Sequence, residues 1–254
     1  MKYFKKNKFP VFFYKLRSLI YFFRSFLYLG SKYHCPCCGG NFRKFITYGV
    51  QKRPNAKCPR CGSMERHRTL WLFLKNKTNV YSDEIKLLHF APEYIFRENF
   101  LKHKTIAYYS ADIESPLAKH KVDITKIKFN DNFFDAIICN HVLEHIIDDA
   151  KAMKELFRVL KPGAWAILQV PQDTDKEDTY EDENIVDPKE REKHFGQHDH
   201  VRVYGLDYKN RLESAGFKVE VIDFLNIVGE ENTAKFSLRE HGGTGYPYIY
   251  FCTK

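Results

Sequence analysis

Two hydrophobic rhythms organise the 254 residues. Near the front, Phe12, Leu16, Leu19, Ile20, Phe23, Phe26 and Leu27 recur at helical spacing after Pro10, with Lys15, Arg17 and Arg24 around them. That pattern predicts an apolar-faced helix. Arg17 and Arg24 cut its apolar runs to about six residues, far below the roughly 18 to 20 that a membrane crossing takes, and no small-residue cleavage site follows. From residue 85 the rhythm changes to short apolar runs alternating with helical stretches. Strands are expected at Ile85–Phe90, Thr105–Ser110, Phe134–Cys139 and Ala164–Val170, with helices near Tyr94–Lys102 and Asp148–Leu160. Pro162 and Gly163 should stop the second helix. Further on, "YGLDYKNRLESAGFKVEVIDF" predicts a helix, a stop at Gly216 and another strand, and a last strand is expected over Pro247 to Cys252. Such alternation signals a parallel sheet covered on both faces.

Between the two regions, "CPCCGG" and "CPRCG" place Cys35 and Cys38 in one C-x2-C pair and Cys58 and Cys61 in another, with a 19-residue spacer. The spacing lies in the zinc-ribbon range. In each knuckle the Pro shapes the turn and the Gly lets backbone approach the sulfurs. Four thiolates close a tetrahedron with no open position, so the expected Zn2+ is structural rather than catalytic. Cys37 would need a partner at position 34, which is His34; His34 and His67 are the alternative ligands. Cys139 and Cys252 lie in apolar runs and read as small buried hydrophobes. Directly afterwards, "GSMERHRTLWLFLKNK" offers Ser63 as a helix cap and Leu70, Phe73 and Leu74 as an apolar side. Arg66, His67 and Arg68 read as the solvated face of that helix. If this face borders a ligand site, Arg66 or Arg68 could instead pair with a carboxylate.

Charge sharpens the division. The net charge is +9, yet residues 1–30 hold seven Lys/Arg and no acid, while the part beyond residue 68 is mildly acidic. That balance argues against a domain gripping nucleic acid over its whole face. The expected organisation is therefore residues 1–30 as a basic amphipathic helical segment, 31–68 as the zinc ribbon and 69–254 as the large domain. With 44% hydrophobic and 16% aromatic residues the chain can bury a full core.

Within the large domain, "YYSAD", "KVDITKIKFNDNFFDAIICNHVLEHI" and "AMKELFRVLKPGAWAILQV" occur in this order. On these stretches, residues 83–254 resemble the class I S-adenosylmethionine-dependent methyltransferases of the type 11 kind. The resemblance implies an α/β fold: a Rossmann-like sheet with helices on both faces, here preceded by the four-cysteine ribbon and the amphipathic helix. It implies S-adenosylmethionine as cofactor, with Asp112 taking the ribose hydroxyls, Asp123 accepting from the adenine amino group and Ile124 beside it. Asp112 lies roughly 20 residues beyond the first strand, as a ribose-binding acid should. Asn140 leaves the fourth strand on the same rim. The first turn departs from the family, because His89, Phe90, Ala91, Pro92 and Glu93 stand where a glycine-rich cradle is usual. A sulfonium cofactor has no phosphates, so it needs fewer free N–H groups. Ala91 is small enough for close approach, and Glu93 can offer a carboxylate to the cofactor's amino group.

Methyl transfer takes an acceptor held in line with the sulfonium, plus a base where the acceptor must lose a proton. His141 and His200 are the expected bases, and His145 reads as an orienting residue. The acidic run "DTDKEDTYEDEN" (173–184) reads as a solvated loop placed where a lid would sit. The leading expectation is a methyltransferase acting on a small-molecule or saccharide-type acceptor, cytoplasmic or resting on the inner membrane surface through residues 1–30. Two alternatives stay open. One is an RNA methyltransferase whose basic ribbon holds RNA through Phe42, Arg43, Lys44, Phe45, Tyr48, Lys52 and Arg53; the other is a non-catalytic methyltransferase-like binding protein.

Overall fold

The computed structural model describes residues 11–49, 52–239 and 248–254. Residues 1–10, which open the basic segment, and Pro247, where the last strand was expected to begin, lie outside them. The first helix, α1 (Val11–Ser25), leads into a ribbon of two hairpins: β1 (Leu29–Cys35) with β2 (Gly40–Phe42), and β3 (Ile46–Tyr48) with β4 (Arg53–Lys57). Then come α2 (Glu65–Lys77), β5 (Ile85–Phe90), α3 (Tyr94–Phe100), β6 (Ile106–Asp112), β7 (His120–Lys121), β8 (Phe134–Asn140), α4 (Asp149–Val159) and β9 (Leu160–Gln169). A short hairpin joins β10 (Tyr180–Glu181) to β11 (Arg202–Val203), with α5 (Pro188–Phe195) between them. The chain ends with α6 (Tyr208–Ser214), β12 (Lys218–Asp223), α7 (Phe224–Val228), α8 (Glu230–Phe236) and β13 (Tyr248–Thr253).

Among the described residues the main sheet has the order β12-β13-β9-β8-β5-β6-β7. Its neighbours run parallel from β9 to β7, and β13 is antiparallel to both β9 and β12. The central strands are apolar on both faces because helices cover both. One core joins Leu88, Phe90, Ile137 and Cys139 to α4 and α6. The other joins Leu87, Ala136, Ile138 and Ile167 to α2 and α3. Chain order reverses at β5, so the carboxyl ends of β5 and β8 flank the crevice where open α/β sheets bind ligands.

One local expectation is corrected and another gains detail. The helix before the fifth parallel-sheet strand ends at Val159, and β9 already begins at Leu160; Lys161, Pro162 and Gly163 lie within the strand's first residues and do not stop the helix. The acidic run 173–184 is mostly exposed, as expected of a solvated loop, with its backbone held at several points. Tyr180 and Glu181 pair with Val203 and Arg202, and Leu206 N and Asp207 N donate to the Lys176 and Glu177 carbonyls.

The first helix inverts the usual logic. It docks through its polar side: the Tyr14 ring stacks on Tyr94 at 5.5 Å, Lys57 donates to the Tyr21 hydroxyl at 3.1 Å and Arg24 reaches the Pro59 carbonyl. Its apolar side faces outward, with Phe12 67%, Ile20 55% and Phe23 62% exposed. The helix is thus docked on its own chain while its apolar face stays uncovered.

Arg68 ties the ribbon to the domain. The side chain is fully buried and donates to four carbonyls: Ala56 and Ser63 in the ribbon, and Phe236 and Ser237 at the end of α8. It stacks 4.8 Å from the Phe45 ring. A buried guanidinium is tolerable only with its donors satisfied in this way, so Arg68 serves the fold and not a ligand.

Candidate cofactor cleft and metal centre

The two knuckles have the same local geometry. Gly39 and Gly62 adopt φ of 67° and 74°, and their N–H groups donate to the Cys35 and Cys58 carbonyls at 2.9 and 3.0 Å. Left-handed backbone here folds each turn back over its own cysteines, a conformation glycine adopts without strain. The Sγ atoms of Cys35, Cys38, Cys58 and Cys61 all lie within 4.8 Å of one another. Cys35 and Cys61 are 3.6 Å apart, and Cys38 and Cys58 are 3.8 Å apart. Four sulfurs at ~2.3 Å from a tetrahedral ion would be separated by about 3.8 Å, so this donor set fits zinc. Cys37 points elsewhere, to the His67 carbonyl. His34 bonds Asn41, and His67 accepts from the Met64 N–H, so neither histidine joins the sulfurs. Ser63, expected to cap α2, instead lies 3.3 and 3.2 Å from the Cys35 and Cys61 sulfurs, where its hydroxyl can donate to a thiolate.

Beside the ribbon, a narrow cleft of about 20 Å³ opens at the carboxyl ends of β5 and β8. Arg66, His67, Thr69 and Leu70 of α2 form one wall; Glu93, Asn140 and His141 form the sheet rim; Gln169, Tyr248 and Ile249 close the far side. A second opening shares His67 and Glu93 with it and is bordered by Tyr14, Arg17 and Tyr21 of α1. Both turns at the rim are strained where the sheet ends, with Ala91 at φ 45° and His141 at φ 55°. Ala91 thus takes the left-handed conformation that a glycine would otherwise supply, and non-glycine residues held this way cluster at ligand sites.

His89 is completely buried on β5. Its Nε2 lies 2.8 Å from Glu93 and its Nδ1 3.0 Å from the Tyr108 hydroxyl. The imidazole donates from Nε2 to the carboxylate, and its Nδ1 pairs with the phenol. Burial alone would raise the Glu93 pKa, but the hydrogen bond and charge of His89, followed by His67 and Arg66, hold it down at about 2. Asn140 donates to Glu93 at 3.4 Å. Three buried polar atoms of the cleft-lining residues have no hydrogen-bond partner: the donors Arg66 Nε and His67 Nε2, and the acceptor Asn140 Oδ1. Orphaned buried polar atoms are rare and call for a partner. Two donors facing a carboxylate and an amide oxygen across a cleft match the two ends of an amino-acid zwitterion.

The other expected positions spread along the same rim. Asp112 closes β6, and its Oδ1 accepts from the Glu114 and Ser115 N–H groups at 2.7 and 2.6 Å. Asp123 follows β7, exposed, and accepts from Thr125. Ile124 beside it is buried. His141 Nδ1 lies 3.5 Å from Glu144. His200 is buried and donates from Nδ1 to the Phe195 carbonyl; desolvation pushes its pKa below the ordinary histidine range. His67, which reads in the sequence as part of a solvated face, is buried; Gln169 ends a quoted motif without being singled out there, and Tyr248 lies outside every motif.

His67 makes stability depend on pH. Burial, with Arg66 beside it, lowers its pKa to about 3, against roughly 6.5 in the unfolded chain. The unfolded state therefore binds more protons between these values, and stability falls as pH drops through that window, by at most about 1.4 kcal/mol per unit. Urea midpoints at pH 7, 6 and 5 should fall less steeply for His67→Gln; identical slopes would show that the ring does not contribute.

A family profile described as "Methyltransferase domain" matches residues 91–168, which span the rim from Ala91 to β9. No curated protein matches the chain. Among solved structures, an S-adenosylmethionine-dependent methyltransferase from Mesorhizobium loti is similar with a TM-score of 0.51 at 15% identity, over 73% of this chain and 98% of that one. A SAM-dependent methyltransferase from Archaeoglobus fulgidus gives 0.47 at 16% identity, over 76% and 95%. At such identities the first likeness establishes the fold. Sheet order, the profile match over residues 91–168 and the likeness in fold together show that this chain carries a methyltransferase domain, joined to a four-cysteine ribbon.

Proposed function

We propose that the protein transfers a methyl group from S-adenosylmethionine to a small-molecule or saccharide-type acceptor. The observation that carries this is the set of orphaned groups in the cleft. In this reading the cofactor's α-carboxylate pairs with Arg66 and His67, and its ammonium with Glu93 and Asn140. Ala91 passes beneath it, the ribose lies toward the free oxygen of Asp112, and the adenine toward Asp123 and Ile124. Bound there, the cofactor supplies an electrophilic methyl group, and His141 is the base nearest the cleft. The ribbon then has a task beyond folding, because it fixes the start of α2 and so aims the two donors.

The state of the ribbon favours this acceptor class over RNA. Phe42 and Phe45 are buried, Arg53 is paired with Glu65 and Lys57 sits over the Tyr48 ring at 4.3 Å. Stacking platforms need exposed rings, and most of those available are committed. No described helix is long and apolar enough to cross a membrane. The outward apolar face of α1, flanked by Lys15, supports contact with a membrane surface. Label from methyl-tritiated S-adenosylmethionine should enter the small-molecule or glycan fraction of a cell extract; label entering only RNA would overturn the acceptor class.

A further inference from the structure

Next to the cleft, behind His141, is a group of side chains with no part in cofactor binding. Glu144, His145 and His200 each offer a ligand atom, and these atoms lie within 4.8 Å of one another. Glu144 is 2% exposed, and its Oε2 has no protein partner. The hydrogen bonds of the two histidines fix their tautomers. His145 Nδ1 is 3.1 Å from the Asp199 carbonyl, and His200 Nδ1 is 3.1 Å from the Phe195 carbonyl. Carbonyl oxygens only accept, so each Nδ1 carries a proton and Nε2 is the nitrogen available to a metal. His145 Nε2 is 3.9 Å from Glu144 Oε1. A buried carboxylate and two imidazoles therefore converge, each offering an atom that can ligate. Anchoring the outer ring nitrogen on a carbonyl is also how metal-binding histidines are held.

The scaffold around these residues is rigid. Arg202, 4% exposed, donates to the carbonyls of Leu143, Ile146 and Ile147, and Val201 N donates to the Glu144 carbonyl at 2.9 Å. The segment carrying His200 is thereby fastened to the turn carrying Glu144 and His145, although they lie more than fifty positions apart in sequence.

We infer that Glu144, His145 and His200 form a divalent transition-metal site that holds an oxygen of the methyl acceptor. Two imidazoles and one carboxylate suit Mn2+, Fe2+, Co2+ or Zn2+ better than Mg2+ or Ca2+, and three protein ligands leave positions open for a substrate. The acceptor this implies is a hydroxyl, whose acidity rises on binding the ion. Its proton passes to His141, an oxygen lone pair forms the bond to the methyl carbon, and the carbon–sulfur bond breaks with its pair going to sulfur, giving S-adenosylhomocysteine. The acceptor assignment rests on the proposed methyl transfer; the metal site does not.

Cobalt distinguishes the two centres of the full-length protein. Stripped wild type titrated with Co2+ should take up two ions per chain, one with intense thiolate charge-transfer absorption from the four cysteines and one with only weak ligand-field bands. Glu144→Gln and His145→Gln should each lose the second ion while keeping the charge-transfer band, which reports that the ribbon is folded, and should bind S-adenosylmethionine in calorimetry as wild type does. Uptake of one ion by wild type, or of two by both variants, would overturn the site. If the second ion binds but S-adenosylmethionine does not, the methyl-transfer reading fails and the metal site stands.

Discussion

Removing zinc from the ribbon is expected to abolish both the ribbon's fold and cofactor binding, although none of the four sulfurs lines the cleft. A structural zinc site of this kind contributes roughly 10–16 kcal/mol at neutral pH, and the ribbon core otherwise consists of Phe42, Phe45 and the cysteines themselves. The consequence travels through α2. The Cys58 N–H bonds the Ser63 carbonyl, which Arg68 also holds, and the Met64 N–H fixes the His67 ring. Without the metal these constraints on Arg66 and His67 relax. Hydrogen exchange after chelation should rise across residues 29–64 while the central strands β5 and β8 stay protected, and S-adenosylmethionine affinity should fall more than tenfold. Unchanged affinity in the chelated protein would show that the ribbon does not aim those donors.

Glu93→Gln is expected to weaken S-adenosylmethionine by roughly 10- to 100-fold, the range set by losing one charge-assisted hydrogen bond of about 1.5–3 kcal/mol. The substitution keeps the side chain's shape and an oxygen that His89 can still donate to, so melting should change little. The carboxylate is predisposed to this role because His89 and its neighbours, against the effect of burial, hold its pKa down at about 2. Calorimetric titration of variant and wild type decides the matter; equal affinity would remove Glu93 from the site.

How far the sequence led differs by element, for physical reasons. The buried strands were legible: Ile85–Phe90 forms over the expected residues, and β8 over one more than expected, because runs of Ile, Leu and Phe with no polar alternation have few other places to go. The four-cysteine centre was legible because ligand spacing is a local property. The methyltransferase fold was legible because its motifs follow one another along the rim. The outward face of α1 was not, since helical spacing of apolar residues gives a face but not its direction, and the tyrosines and arginines opposite proved the better docking surface. The roles of Arg66 and Arg68 were left open by the sequence; the fold separates them, turning one toward the cleft and burying the other among carbonyls. Nor could spacing along the chain bring His200 beside His145, an arrangement that depends on Arg202 and the β10–β11 hairpin.

The central claim is that side chains from the ribbon-anchored helix and the sheet rim together hold the methionine end of the cofactor, in place of a glycine cradle. A crystal structure of the protein soaked with S-adenosylhomocysteine tests it directly. The carboxylate should lie within hydrogen-bond distance of Arg66 and His67, and the ammonium within the same distance of Glu93. Density for the amino-acid end anywhere else on the molecule, with Arg66 and His67 still unpartnered, would contradict the account.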